Sequence, residues 1–278
     1  MIRIDAHQHY WALARKDYGW LGPHRPVINR DFLPHDLEPE MRAAGVVQSI
    51  VVQSTPTLAE TEFLLFLAET TPSILGVVGW VDLEAQHALE DLRRLSENPL
   101  FLGVRAMAQP NPDANWLAQI AHSPALSFMA ARGLSLDALV QPHHLPALDT
   151  LCRANPELTV VINHAAKPEI GVRPMDEWQC RIARLATLPN VSCKLSGLTV
   201  FSDRIDALQP YVDVLVSQFG PSRLIWGSDW PVLKESADYG AWVSLCDRVL
   251  RGLDNRDVAQ IFGDSAQQIY GTEVRLAA

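Results

Sequence analysis

The sequence predicts an α/β protein, a single (β/α)8 barrel, on three observations. Eight short apolar runs alternate with helical patterns from one end of the chain to the other. The runs are nearly continuous in apolar residues, as parallel strands buried on both faces require. No GxGxxG or Walker glycine pattern follows any run, which counts against the alternative, an open doubly wound sheet. The length of 278 residues suits one large α/β domain or two smaller ones. No repeat, low-complexity tract or linker divides the chain, so 1–278 reads as one domain.

The first run is Ile2–His7, followed by Ser49–Gln53, Leu75–Val81 and Phe101–Arg105. The fifth, Leu134–Val140, carries the weakest pattern, and Thr159–Asn163, Val191–Leu195 and Arg223–Trp226 complete the set. A helix opens at Pro34. Another spans Leu58–Thr70, where Thr57 and Glu60 form the signature of a capping box. Glu84–Glu97 carries an apolar stripe at Leu89, Leu92 and Leu95. Pro142–Ala154, Met175–Leu188, Asp203–Phe219, Ala237–Gly252 and about Arg256–Tyr270 read as further helices. Gly45, Gly133 and Gly220 stand where helices should stop. Residues 10–33, with Trp11, Tyr18 and Trp20, form an unusually long connection. It reads either as a lid or as a surface loop docked by its aromatics.

Composition excludes several classes. The chain is 48% hydrophobic and 20% charged, too apolar for intrinsic disorder. With 23 Lys+Arg against 32 Asp+Glu, the net charge is −9, and no basic cluster offers a face to nucleic acid. The richest apolar stretch, Ile74–Val81, is too short to span a bilayer and is broken by Gly76 and Gly79, so no membrane partner is expected. Cys152, Cys180, Cys193 and Cys246 show no close ligand or disulfide spacing. Met1–Asp5 does not read as a secretory leader, and the expected compartment is the cytoplasm.

Barrel chemistry sits at the C-terminal ends of the strands. The first strand ends in His7 and His9, whose i, i+2 spacing puts both imidazoles on one face. The sixth ends in His164 and Lys167, and the eighth in Asp229, which barrel closure brings beside the first. Three imidazoles and a carboxylate form a plausible N3O set for one divalent ion. A purely structural alternative has His7 and His9 bonding across the rim and Asp229 capping a turn. Arg105 at the end of strand four suits a substrate carboxylate, hydroxyl or carbonyl oxygen, or else a bridge to a rim acid. Lys167 suits a substrate hydroxyl or open solvent. Lys194, inside an apolar strand, needs a partner, and alternation with Cys193 turns one of the two inward. His143, His144, His24, His35, His87 and His122 read mainly as surface positions. No GxSxG elbow is present, and no cysteine lies beside a base.

The segments Ile4–Trp11 (IDAHQHYW), Gly103–Met107 (GVRAM), Val161–Pro168 (VINHAAKP), Ser192–Leu198 (SCKLSGL), Ile225–Val232 (IWGSDWPV) and Ile261–Gly271 (IFGDSAQQIYG) together resemble the amidohydrolase superfamily. Within it they are most similar to the amidohydrolase-2 branch, whose members open sugar lactones and related cyclic esters. The resemblance covers nearly the whole chain and implies a TIM barrel. It also implies His7, His9, His164 and Asp229 as the metal-site positions. Binuclear members of the superfamily carry a carboxylated lysine or a glutamate where Arg105 stands here, so one metal, zinc foremost, or none is implied.

The expected reaction is hydrolysis of a small lactone, of an L-fucono or L-rhamnono type. Asp229 would act as general base and then as acid toward the ring oxygen. His7, His9 and His164 would hold a metal or polarise the carbonyl. Arg105 and Lys167 would orient the substrate, and Trp11 would cover the ring. Two other readings are a metal-dependent decarboxylase of a small acid and an inactive barrel that binds a sugar acid.

Overall fold

In a computed structural model that describes residues 1–273, the eight apolar runs form one parallel sheet with its strands in sequence order. The strands are β1 (Ile4–Gln8), β2 (Gln48–Val52), β3 (Ile74–Gly79) and β4 (Phe101–Met107). They continue as β5 (Ser135–Leu139), β6 (Val160–Ile162), β7 (Val191–Leu195) and β8 (Leu224–Trp226). The barrel closes just beyond β8. The Asp229 N–H donates to the His7 carbonyl at 2.7 Å, and the His9 N–H donates to the Trp230 carbonyl at 2.7 Å. The fold is the expected TIM barrel.

The helices form the outer layer: α1 (Pro34–Ala43), α2 (Leu58–Thr70), α3 (Ala88–Leu95), α4 (Trp116–Gln119), α5 (Pro124–Ala131) and α6 (Leu145–Ala154). They continue as α7 (Asp176–Ala186), α8 (Ile205–Phe219), α9 (Tyr239–Val249), α10 (Asn255–Ala259) and α11 (Ser265–Tyr270). Two differences from the sequence reading have clear causes. The segment α4–α5 lacks a long amphipathic period and so gives no helix signal; Ser123 caps α5, and Pro124 begins it. The final helix is interrupted by a π segment at Gln260–Asp264. Gly45, Gly133 and Gly220 follow α1, α5 and α8 with φ between 67° and 71°.

Two apolar layers result. Residues inside the barrel, among them Ile50, Val52, Val78, Val161 and Ile225, pack on Ala266 and Tyr270 of α11, which plugs one end. A larger cluster fills the space between strands and helices. The capping box is only half formed. Thr57 Oγ1 accepts from the Glu60 N–H, but the Glu60 carboxylate turns inward to accept from the N–H groups of Ser54 and Thr55 at 2.9 and 2.8 Å.

The 10–33 connection is docked by its own aromatics. Trp11 and Phe32 exchange both backbone hydrogen bonds at 2.9 Å, and Trp11 packs edge-on against Trp20 and Phe32. No described helix is long and apolar enough to cross a membrane. All four cysteines are free thiols.

Candidate active site

The first strand carries a feature that its sequence pattern hides. Ile4 and Ala6 pack inside the barrel, so strict alternation would turn His7 outward. The β1–β2 register shifts between Asp5 and Gln8, and this bulge re-phases the strand. His7 then faces inward against Lys194, while Asp5 meets Tyr239 of the helical layer. Asp5 in turn clamps the seam. It accepts from the N–H groups of Ser228 and His7 at 2.8 and 3.2 Å and from the Tyr239 hydroxyl at 3.0 Å. Burial raises its pKa to about 6 against those hydrogen bonds.

Asp229 follows β8 with φ +63°, a left-handed conformation locked by its N–H bond to the His7 carbonyl. At Gly227, two residues earlier, an added Cβ would lie 2.7 Å from the His7 Cβ, so only glycine lets β8 approach β1 this closely. His164 opens a left-handed turn running through Ala165, Ala166 and Lys167, with φ between 51° and 59°. Each such residue costs about 1 kcal/mol or more, a strain that concentrates at functional sites. The His164 Nδ1 lies 2.9 Å from Ser196 Oγ.

These supports make three imidazoles converge on one oxygen. The Nε2 atoms of His9, His164 and His7 lie 3.2, 3.6 and 3.7 Å from Asp229 Oδ1. Burial alone would raise the Asp229 carboxyl, but His164, His9 and Lys167 together outweigh it and hold it well below the usual carboxylate range. Burial lowers all three histidines, His164 to about 3.

The donor set suits a divalent ion. Ligating atoms of His7, His9 and Asp229 all lie within 4.8 Å of one another. His9 is presented as a ligand should be: its Nδ1 donates to the Val52 carbonyl at 2.7 Å, leaving the Nε2 lone pair toward Asp229. Two acceptors 3.2 Å apart invite a cation between them. His7 differs, because its Nδ1 faces the Lys194 Nζ at 3.2 Å. Burial pulls the Lys194 pKa down, and its ion pair with Asp137 opposes this.

Above the cluster lies a cavity of about 730 Å3. Gln109, His143, Lys167, Gly197 and Asp229 line it, from the loops after β4, β5, β6, β7 and β8. Lys167 donates to Gln109 Oε1 at 2.6 Å. The three histidines lie beneath the carboxylate, nearly inaccessible. Arg105 is also buried, bonded to the carbonyl of Gln53 and, at 3.2 Å, to its Oε1. It faces Asp229 with its charge and is not among the residues that line the cavity. Trp11 is enclosed too. It is 0% exposed, with Nε1 donating to the Arg30 carbonyl, and so it pins the loop instead of covering a ring. His144 is buried, accepting the Gln141 N–H on Nδ1. His24, His35, His87 and His122 are exposed.

Several residues escaped the sequence reading. Asp137 on β5 is fully buried and is the partner that Lys194 requires, at 2.7 Å. Its signal was present: each is a lone charge in an apolar strand. Asn163, Ser196 and Gly197 carry no such signal.

The amidohydrolase family profile matches residues 4–272. The chain belongs to the amidohydrolase family. It is 45% identical to an L-fucono-1,5-lactonase of Burkholderia ambifaria, covering 97% of this chain and 95% of that protein. An L-fucono-1,5-lactonase of Burkholderia multivorans is 33% identical, with 97% and 96% covered. Among solved structures, a Burkholderia multivorans amidohydrolase with bound HEPES superposes with a TM-score of 0.92 at 32% identity, covering 98% of this chain and all of that one. A second structure of a Burkholderia multivorans amidohydrolase, with bound zinc, gives 0.91 at 32% identity over the same shares.

Proposed function

We propose that this amidohydrolase opens the ring of a neutral sugar lactone of the L-fucono-1,5 type. The convergence of three Nε2 atoms on the Asp229 carboxylate at the floor of the cavity carries the reading. The names of the two Burkholderia relatives support the substrate class.

In this reaction the Asp229 carboxylate takes a proton from water as that water attacks the lactone carbonyl carbon. The bond from the Asp229 N–H to the His7 carbonyl fixes the carboxylate's residue in place, and the imidazoles beneath it are too enclosed to reach a bulky ring themselves. Lys167, which lines the cavity beside Asp229, donates to a substrate hydroxyl and orients the ring. When the ring C–O bond breaks, Asp229 returns its proton to the departing ring oxygen, giving the open hydroxy acid. A single divalent ion, zinc foremost, would be held by His9, Asp229 and His7, and when bound it supplies Lewis-acid polarisation.

Charge around the cavity favours a neutral substrate. Arg25 is paired with Glu235, Arg173 with Glu169 and Arg181 with Glu177. These guanidiniums form no open clamp for a carboxylate or sulfonate, which also weighs against decarboxylation of an acid. The test is a colorimetric pH assay over L- and D-aldonolactones, with a dicarboxylate lactone beside them. Turnover of a neutral lactone that disappears in Asp229→Asn is expected. No lactone turnover above that variant would end the proposal.

A further inference from the structure

Lys194 lies directly behind His7, fully buried inside the barrel. Its Nζ is 2.7 Å from Asp137 Oδ2 and 3.2 Å from His7 Nδ1, and it also lies over the Tyr270 ring at 5.3 Å. Asp137 is saturated with other donors. The Tyr270 hydroxyl lies 3.0 Å from both of its oxygens, and Asn163 Nδ2 donates to Oδ2 at 3.0 Å. A carboxylate so placed takes the lysine as its counter-ion.

An ammonium has three hydrogens and no lone pair. Toward His7 it can only donate, so His7 Nδ1 accepts. A neutral imidazole that accepts on Nδ1 carries its hydrogen on Nε2. The His7 Nε2 is buried without a hydrogen-bond partner and lies 3.7 Å from Asp229 Oδ1. His9 shows the opposite arrangement, because the Val52 carbonyl holds its hydrogen on Nδ1. Two histidines two residues apart, both directed at one carboxylate, therefore present a donor and a lone pair to it.

We infer that Lys194, backed by Asp137 and Tyr270, is a positioning residue that fixes the His7 hydrogen on Nε2. His7 then donates toward the catalytic carboxylate, and a metal can use His7 Nε2 only after that hydrogen leaves. The lysine thus sets the metal affinity of the site, favouring its metal-free form. The importance of this for turnover rests on the lactone-hydrolysis reading; the tautomer and the metal affinity do not.

Long-range 1H–15N spectra of histidine-labelled, metal-free wild type read the tautomers, with His7 and His9 assigned by His7→Gln and His9→Gln. The expected result is an Nε2–H form for His7 and an Nδ1–H form for His9. Zinc binding is then titrated against a chromogenic chelator in wild type and in Lys194→Met/Asp137→Asn. That double variant removes the ion pair as a unit and leaves net charge unchanged. With His7 free to carry its hydrogen on Nδ1, zinc should bind about 10-fold tighter or more, the scale on which groups behind a ligand act. An Nδ1–H form for His7 in the wild type, or unchanged or weaker zinc binding in the double variant, overturns the inference. Should the variant not fold, the wild-type spectrum decides alone. Loss of lactone turnover would bear on the proposed function and leave these two readouts untouched.

Discussion

The floor and the wall of the cavity are held by different means. His7, His9 and Asp229 stand on the β1–β8 seam, where the backbone bonds of Asp229 to His7 and of His9 to Trp230 set their spacing at 2.7 Å each. Lys167, Arg25 and His143 stand on loops, and the first two are steadied by side-chain bonds to Gln109 and Glu235. Backbone pairing ties each seam residue to its neighbouring strand, whereas a loop can be recut around a fixed sheet. In the proposed reaction, reactivity depends on the seam and substrate preference on the loops, and the two should fail separately.

The largest break should come at the floor itself. Asp229→Asn removes the proposed proton acceptor and should lower kcat by about 1,000-fold with little change in KM, in steady-state assays on the preferred lactone. Gly197→Ala attacks the same floor from behind. Gly197 has φ +64°, and an added Cβ would lie 2.6 Å from His164 Nδ1. We expect about a 100-fold loss in kcat, the scale for a displaced catalytic group. A variant that keeps full kcat would show that His164 tolerates displacement. At the wall the pattern should reverse. Lys167→Met should raise KM about 10-fold and reduce kcat less, measured on neutral lactones. A kcat loss as large as that of Asp229→Asn would move Lys167 to the floor.

The smallest effect sharpens the contrast from outside both regions. Burial raises the Glu60 pKa to about 7, against hydrogen bonds from Ser54 and Thr55 and the charge of Arg105. Its folded state keeps the proton to higher pH than the unfolded chain, whose value is near the ordinary 4.5. Folding stability from this group is therefore greatest below the unfolded value and declines as pH rises through that window. Wild-type Tm should fall between pH 5 and pH 7, and Glu60→Gln should flatten that slope. Equal slopes in both proteins would remove Glu60 as its source.

The strands were legible because parallel strands buried on both faces must be apolar runs, and glycine marks where helices end. His7, His9, His164 and Asp229 were legible because they all fall where such runs stop. Arg105 and Trp11 show what the sequence leaves open, because position along a strand does not reveal whether a side chain reaches the cavity or bonds a neighbour. Gln53 takes the guanidinium, and the Arg30 carbonyl takes the indole. Lys194 was recognised as needing a partner, yet the partner lies 57 residues away in sequence, and only barrel closure brings Asp137 to it.

The sequence by itself determined the order of strands and helices and the end of the barrel at which the chemistry gathers, since both follow from local periodicity. Tertiary structure alone decided the rest. The bulge in β1 turns His7 inward, because register is a property of two strands and not of one. The left-handed backbone at Asp229 and at His164–Lys167 persists because the seam and the packed neighbours outweigh a local preference that disfavours it.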